Sequence, residues 1–503
     1  MGFDIDRAEF SDADHERFST RLRECVEALR DVLERPGFGD GATTIGAELE
    51  LNIVDAACRP LLLNRRVLRE TTDPRLTHEV DRFNLEINSR PVPLAGRPFR
   101  ALERELGSAL AEAARAAAKH GGTLATVGVL PTLREEDLTP AALTEGHRYR
   151  ALSAGLRRLR REPFRVCIEG RERVELEADD VTLEGANTSF QLHLRVAPSA
   201  FVRTYNAAQI ATGVALSVGG NSPTFLGRHL WEETRIALFR QAVDVRRESD
   251  GEDEYRPARV TFGHGWLRAS PLELFAESVA MHAPLLPSVS PEDPLDAVRN
   301  GRVPKLHELR LHHGTVWRWN RAVYDDACGG HLRIEFRALP AGPTRIDELA
   351  SAAFLLGLTL GLAPHAERLV HMMTFGHARR NFYQAAKHGL DAELLWPTDA
   401  APSPHPTPAR ALVDRLLPIA HDGLVGGGVE HDEATRLLRV IEARAASGQT
   451  GAAWQRATLD RESARAASRD EAAAAMLQSY ATLSAAEAPV HTWPLDRVGS
   501  SAA

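Results

Sequence analysis

Four short segments alternate polar and apolar residues with period two, and each carries reactive side chains on its polar face. They are Glu48 and Glu50 in TTIGAELELNIVD, Glu86 and Asn88 in FNLEINS, Gln191, His193 and Arg195 in SFQLHLRV, and Glu335 and Arg337 in HLRIEFRAL. If one sheet gathers them, Glu48, Glu50, Glu86 and Glu335 face one another. Like charges that close raise one another's pKa unless a cation lies between them. An oxygen-rich ligand set with a few imidazole or amide neighbours suits magnesium or manganese, whereas zinc would want more histidine and cysteine. Carboxylate-held magnesium keeps open positions for nucleotide phosphates and neutralises charge during phosphoryl transfer, so the pattern points to an ATP-using enzyme. Any antiparallel sheet with one wet face alternates in this way, but glutamate is depleted in ordinary strands. Glu79 precedes Glu86 by seven residues, which puts it on the opposite strand face unless a turn or bulge intervenes near Asp81. No glycine-rich P-loop with its lysine is present; Gly426 to Gly428 read as a loop.

The elements that must position these residues are legible as well. Residues 12–34 carry apolar positions at helical spacing, followed by Pro36, Gly37 and Gly39. Residues 99–119 read as an alanine-rich amphipathic helix, and TLATVGVLP after it as a strand. Residues 345–373 read as a long buried helix. Its most apolar part, 349–363, is shorter than the roughly 20 residues of a membrane span. The prolines at 397, 402, 404, 406 and 408 predict a stiff linker or exposed loop. The expected organisation is a catalytic domain over 1–395, a linker over 396–409 and a helical extension over 410–503. LRRLRRE, residues 156–162, reads as a solvated helix face or a phosphate-attracting lid.

The 503 residues are 43% hydrophobic and 26% charged, as in an ordinary globular protein. A net charge of -8 argues against nucleic-acid binding by bulk attraction and favours small-molecule work. The four cysteines include no CxxC, and the acidic, polar N-terminus has no signal-peptide pattern. A cytoplasmic protein that uses no membrane is the expectation.

In order along the chain, IGAELEL, the Glu79–Glu86 pair, SFQLHLRV, NSPTFLGRHLWEETR and LRIEFRALPAGPT resemble the glutamate-cysteine ligase family, in its second bacterial branch with the carboxylate-amine ligases. The resemblance covers roughly residues 40–395, with RNFYQAAKHGLDA as the closing helix. It implies an α+β fold of the glutamine synthetase type, with a curved antiparallel sheet forming a funnel and helices on its outer face. It implies ATP and two or three magnesium or manganese ions, held by Glu48, Glu50, Glu79, Glu86, Glu335 and His193, with Glu50 and Arg337 catalytic. Gln191, Arg318 and Arg337 would then meet the nucleotide, and Arg235, Asn221, His313 and Arg321 the substrate. The implied reaction joins a carboxylate, glutamate or a similar acid, to an amine through an acyl phosphate, in a possible homo-oligomer. The alternatives are a kinase of an amine or guanidino group on the same fold, and a noncatalytic metal- or nucleotide-binding protein.

Overall fold

Glycine and proline breakers isolate the period-two segments, and their apolar faces give them one partner surface to bury. A computed structural model describes residues 5–246, 257–398 and 401–495. In it the segments form β1 (Thr44–Val54), β2 (Leu76–His78), β3 (Asn84–Asn88), β4 (Phe190–Val196), β5 (Asn320–Asp325) and β6 (His331–Phe336). These pair antiparallel in the order β5-β6-β4-β1-β3-β2, and two short strands at 92–93 and 123–125 extend β1. The TLATVGVLP segment is a strand only over its first three residues. Leu49, Leu51, Leu85, Ile87, Phe190, Leu192, Ile334 and Phe336 are fully buried in the core, each contributing about 1.5–3 kcal/mol.

Among the helices are α1 (Asp12–Leu33), α2 (Pro98–Ala118), α3 (His147–Arg160), α4 (Pro198–Gly219), α5 (Leu272–Met281), α6 (Arg345–Leu362), α7 (Ala409–Gly426), α8 (His431–Ser447), α9 (Gly451–Ser463) and α10 (Arg469–Ala485). Helix α1 starts at a capping box in which Ser11 and Asp14 satisfy each other's backbone N–H groups. The stretch 345–372 is long and apolar enough to cross a membrane, yet 83% of its apolar window is buried inside the protein. It is a core helix, as its composition predicts.

The expected linker is corrected by the structure. Residues Glu393–Thr398 (β7) and Ala401–Pro408 (β8) pair as an antiparallel hairpin. Pro404, Pro406 and Pro408 recur at every second residue, a spacing an edge strand tolerates because alternate N–H groups point away from its only partner. The helices that follow do not stand apart either. Leu412, Val413, Leu416, Leu437 and Ile441 join the same hydrophobic core as the sheet. Helices α6 and α7 touch backbone to backbone: a Cβ on Gly357 would lie 2.3 Å from the Ala420 carbonyl oxygen.

The start of α6 also carries a buried acid. Glu348 accepts the Gly342 N–H at 2.6 Å, and its other carboxyl oxygen has no partner. Burial pushes this carboxyl from its ordinary 4.5 up to about 8. A folded-state pKa above the unfolded value means the native state favours the proton. The stabilisation is complete below pH 4.5 and is lost as the pH rises through about 8. Glu348→Gln keeps the acceptor and removes the titration. It is expected to melt like the wild type near pH 4.5 and to be more stable at pH 9, by up to about 5 kcal/mol. Parallel pH-dependent melts of both proteins check this.

Candidate active site

The pairing register sets the geometry, because residues directly opposite share a face. One rung holds Arg321, Glu335, His193 and Gly46; the next holds Gln191, Glu48 and Asn88; a third holds Glu50, Glu86 and Thr77. The odd offset of Glu79 is resolved by a turn at residues 82–83, which makes β2 and β3 a hairpin. Glu79, two residues beyond Thr77, returns to the face that carries Glu86.

Two groups of ligand atoms result, each within 4.8 Å: Glu48, His193 and Glu335, and Glu50, Glu79 and Glu86. They differ in charge balance. In the first, His193 Nε2 lies 3.0 Å from Glu48 and 3.8 Å from Glu335. Arg321 donates to both Glu335 oxygens at 2.5 and 2.9 Å, and Arg337 lies 3.3 Å from the same carboxylate. Burial works against ionising Glu335, but Arg321, Arg337 and His193 overcome it and hold its pKa well below the usual carboxylate range.

In the second group the arginines compensate less, since Arg337 and Arg235 lower Glu50 without overcoming burial and the Glu86 charge. Glu50 accepts from the Ser189 N–H at 2.6 Å and from Gln191 Nε2 at 2.9 Å. Glu86 accepts from Asn88 at 2.5 Å and from the Thr77 hydroxyl at 3.3 Å. Burial and the Glu86 charge push Glu50 up to about 7. Burial, Glu86, Glu50 and Glu184 push Glu79 well above the usual range. Glu50 is raised although Arg337 and Arg235 pull it the other way, and three carboxylates crowded in this manner suit a hard divalent cation.

Between the groups lies Arg337. Its guanidinium donates to Gln191 Oε1 at 2.7 Å, and Gln191 in turn donates to Glu50. Gln191 therefore links Arg337 to the metal-type cluster and fixes its orientation. Arg235 is buried. Its guanidinium pairs with Glu233 at 3.1 Å, donates to the Arg337 and Ala338 carbonyls and lies over Trp319 at 5.4 Å. It braces the chain where Arg337 leaves the sheet.

Three sequence-based expectations are corrected. Asn221 is fully buried, donating to Ala341 O at 2.7 Å and Tyr480 Oη at 2.8 Å, while its Oδ1 accepts from Gln455 at 2.7 Å. It ties α9 and α10 to the loop after β6, with no group left for a substrate. His313 pairs through Nδ1 with Ser278 Oγ at 2.9 Å and packs on Phe275 at 4.6 Å, and burial lowers its pKa well below the usual value. Arg318 turns to the helical layer, pairing with Glu277 of α5 at 2.5 Å beside Tyr205 of α4. Its offset of three from Arg321 already opposes a shared face on one strand. In LRRLRRE, Arg158 pairs with Asp12, and Arg160 donates to the Pro163, Asp244 and Arg246 carbonyls. That is helix anchoring.

Sequence reasoning missed Glu184 and Arg148. Glu184 sits in a short helical turn, Thr182–Gly185; burial and the Glu50 charge push it up to about 7, and one of its oxygens is buried without a partner. Arg148, in the first turn of α3, feels the charges of Glu79 and Glu184. Neither residue belongs to a periodic segment, so only the turn composition around Gly146 and Gly185 gave any signal.

Residues 44–251 match the family model of glutamate-cysteine ligase family 2. That span carries β1 to β4 and ends before Glu335 and Arg337. No curated protein sequence matches. Among solved structures, a glutamate–cysteine ligase from Francisella tularensis in complex with AMP is similar, with a TM-score of 0.53 at 11% identity and 91% of each chain covered. A bifunctional glutathione synthetase from Pasteurella multocida has a TM-score of 0.43 at 12% identity. The match covers 94% of this chain and 55% of that one. The first likeness shows that the chain shares the fold of that ligase. The family match supports an ATP-dependent ligase that forms carbon–nitrogen bonds.

Proposed function

We propose that the protein, whose residues 44–251 match the family model of glutamate-cysteine ligase family 2, joins the carboxylate of glutamate, or a close relative of it, to an amine through an acyl phosphate. The observation that carries the reading is the convergence of Glu50, Glu79 and Glu86 beside a buried Arg337 held by Gln191 and Glu335. The reading places the reaction in the cytoplasm and on small molecules.

Magnesium or manganese at Glu50, Glu79 and Glu86, with a second ion near Glu48, His193 and Glu335, would neutralise phosphate charge and orient the nucleotide. The protein's own residues supply the rest. Ser189 and Gln191 fix the Glu50 carboxylate, so its free lone pairs keep one direction. Arg337, always charged and tethered on one edge, presents its remaining N–H groups to the equatorial oxygens of the transferred phosphoryl group. The substrate carboxylate attacks the γ-phosphorus and ADP leaves; the amine nitrogen then attacks the acyl carbon and phosphate leaves. Arg148 and Arg321 at the rim favour an anionic substrate. Catalysis rests on positioning and charge stabilisation, without a covalent enzyme intermediate.

The test is ADP release by the purified protein with magnesium, glutamate and a panel of amines, followed by mass analysis of the product. The expected result is ADP formed in step with an amide. A stable phosphoramidate would make the protein a kinase, and no ADP with any amine would remove the enzymatic reading.

A further inference from the structure

On the helical side of the molecule, α2, the start of α6 and α8 border a cleft of about 310 Å³ lined by Arg100, Glu103, Arg104, Arg345 and Arg436. It shares no residue with either carboxylate cluster. Four guanidinium groups and one carboxylate converge there. Arg436 reaches Glu103 at 3.5 Å, and Arg345 pairs through Nε with Glu487 at 2.7 Å. Arg100 and Arg104 form no ion pair among the described residues, and the buried Nε of Arg436 has no partner.

The cleft depends on a glycine. Gly107 lies inside α2, where glycine weakens a helix. A Cβ there would fall 1.7 Å from the Arg345 guanidinium. The missing side chain is what lets Arg345 lie against α2, beside the cleft it lines with Arg100 and Arg104. A merely solvated helix face gains nothing from such a residue.

We propose that this cleft binds a small phosphate-type polyanion of about pyrophosphate size. Four arginines face Glu103, Glu487 and Glu433, so positive charge is in excess and the complementary ligand is an anion. Phosphate oxygens concentrate that charge in a small volume and match the planar fork of arginine bidentately. A single carboxylate does not fill the volume. The site stands whether or not the ligase reading does.

The experiment is calorimetric titration of the full-length, metal-free protein with sodium pyrophosphate in EDTA at physiological ionic strength. One pyrophosphate per chain is expected. Arg100→Gln with Arg104→Gln removes two unpaired side chains and should weaken binding about tenfold or more. Gly107→Ala, with no charge altered and folding checked by circular dichroism, should weaken it as well. Arg337→Gln should leave it unchanged. A wild type that binds no pyrophosphate would overturn the proposal, as would binding that survives the double arginine variant or disappears in Arg337→Gln.

Discussion

Glu86→Gln is expected to lower metal-dependent ATP turnover by on the order of 10³-fold or more, a loss of several kcal/mol in transition-state stabilisation. Glutamine keeps the shape and the contacts to Asn88 and Thr77 but removes a charge from a cluster with no cationic residue of its own. The same change at Glu335 acts differently. There Arg321 and Arg337 lose the carboxylate that orients them, so binding of the anionic substrate should suffer together with kcat. Steady-state kinetics of both variants with saturating and limiting magnesium separates the effects. If Glu86→Gln recovers fully at high magnesium, the cluster contributes affinity only. Protons compete for the same oxygens, so apparent metal affinity should fall as the pH drops below about 7, where Glu50 becomes protonated.

Arg444→Ala is expected to destabilise the fold by about 3–5 kcal/mol, because it strands a buried charge. The guanidinium of Arg444, on α8, donates to Asp347 at 2.8 Å, to Ser351 Oγ at 2.9 Å and to the Val218 carbonyl at 3.1 Å. Arg444 is 2% exposed and Asp347 fully buried. It therefore joins the C-terminal helices to α4 and α6, which back the sheet. Denaturant unfolding of the variant gives the number. A loss under 1 kcal/mol would contradict this role of Arg444 in joining the C-terminal helices to α4 and α6.

How much of this could be read from residues alone depends on what fixes each feature. The sheet was legible because a half-buried strand must alternate, and GAELELN, NLEIN, FQLHLRV and HLRIEF do so without interruption. The carboxylate clusters followed, since register alone carries Glu50 to Glu86 and His193 to Glu335. Asn221, His313 and Arg318 look equally reactive in sequence, but each is held by a partner from a distant segment: Tyr480, Ser278 and Glu277. A sequence shows donors and acceptors without showing who satisfies them. Glu184 and Arg148 failed in the opposite sense, as they reach the site from a turn and a first helical turn that no periodicity marks. The proline run misled because spacing of two suits an edge strand as well as it suits a stiff linker.

The central claim is that carboxylates brought together by register are held there by bound cations. Titration of the metal-free protein with Mn²⁺, followed by electron paramagnetic resonance, tests it most directly. Two bound ions are expected, the tighter one lost in Glu86→Gln and the weaker one lost in Glu335→Gln. No tight Mn²⁺ binding in the wild type, or the same binding in both variants, would contradict it.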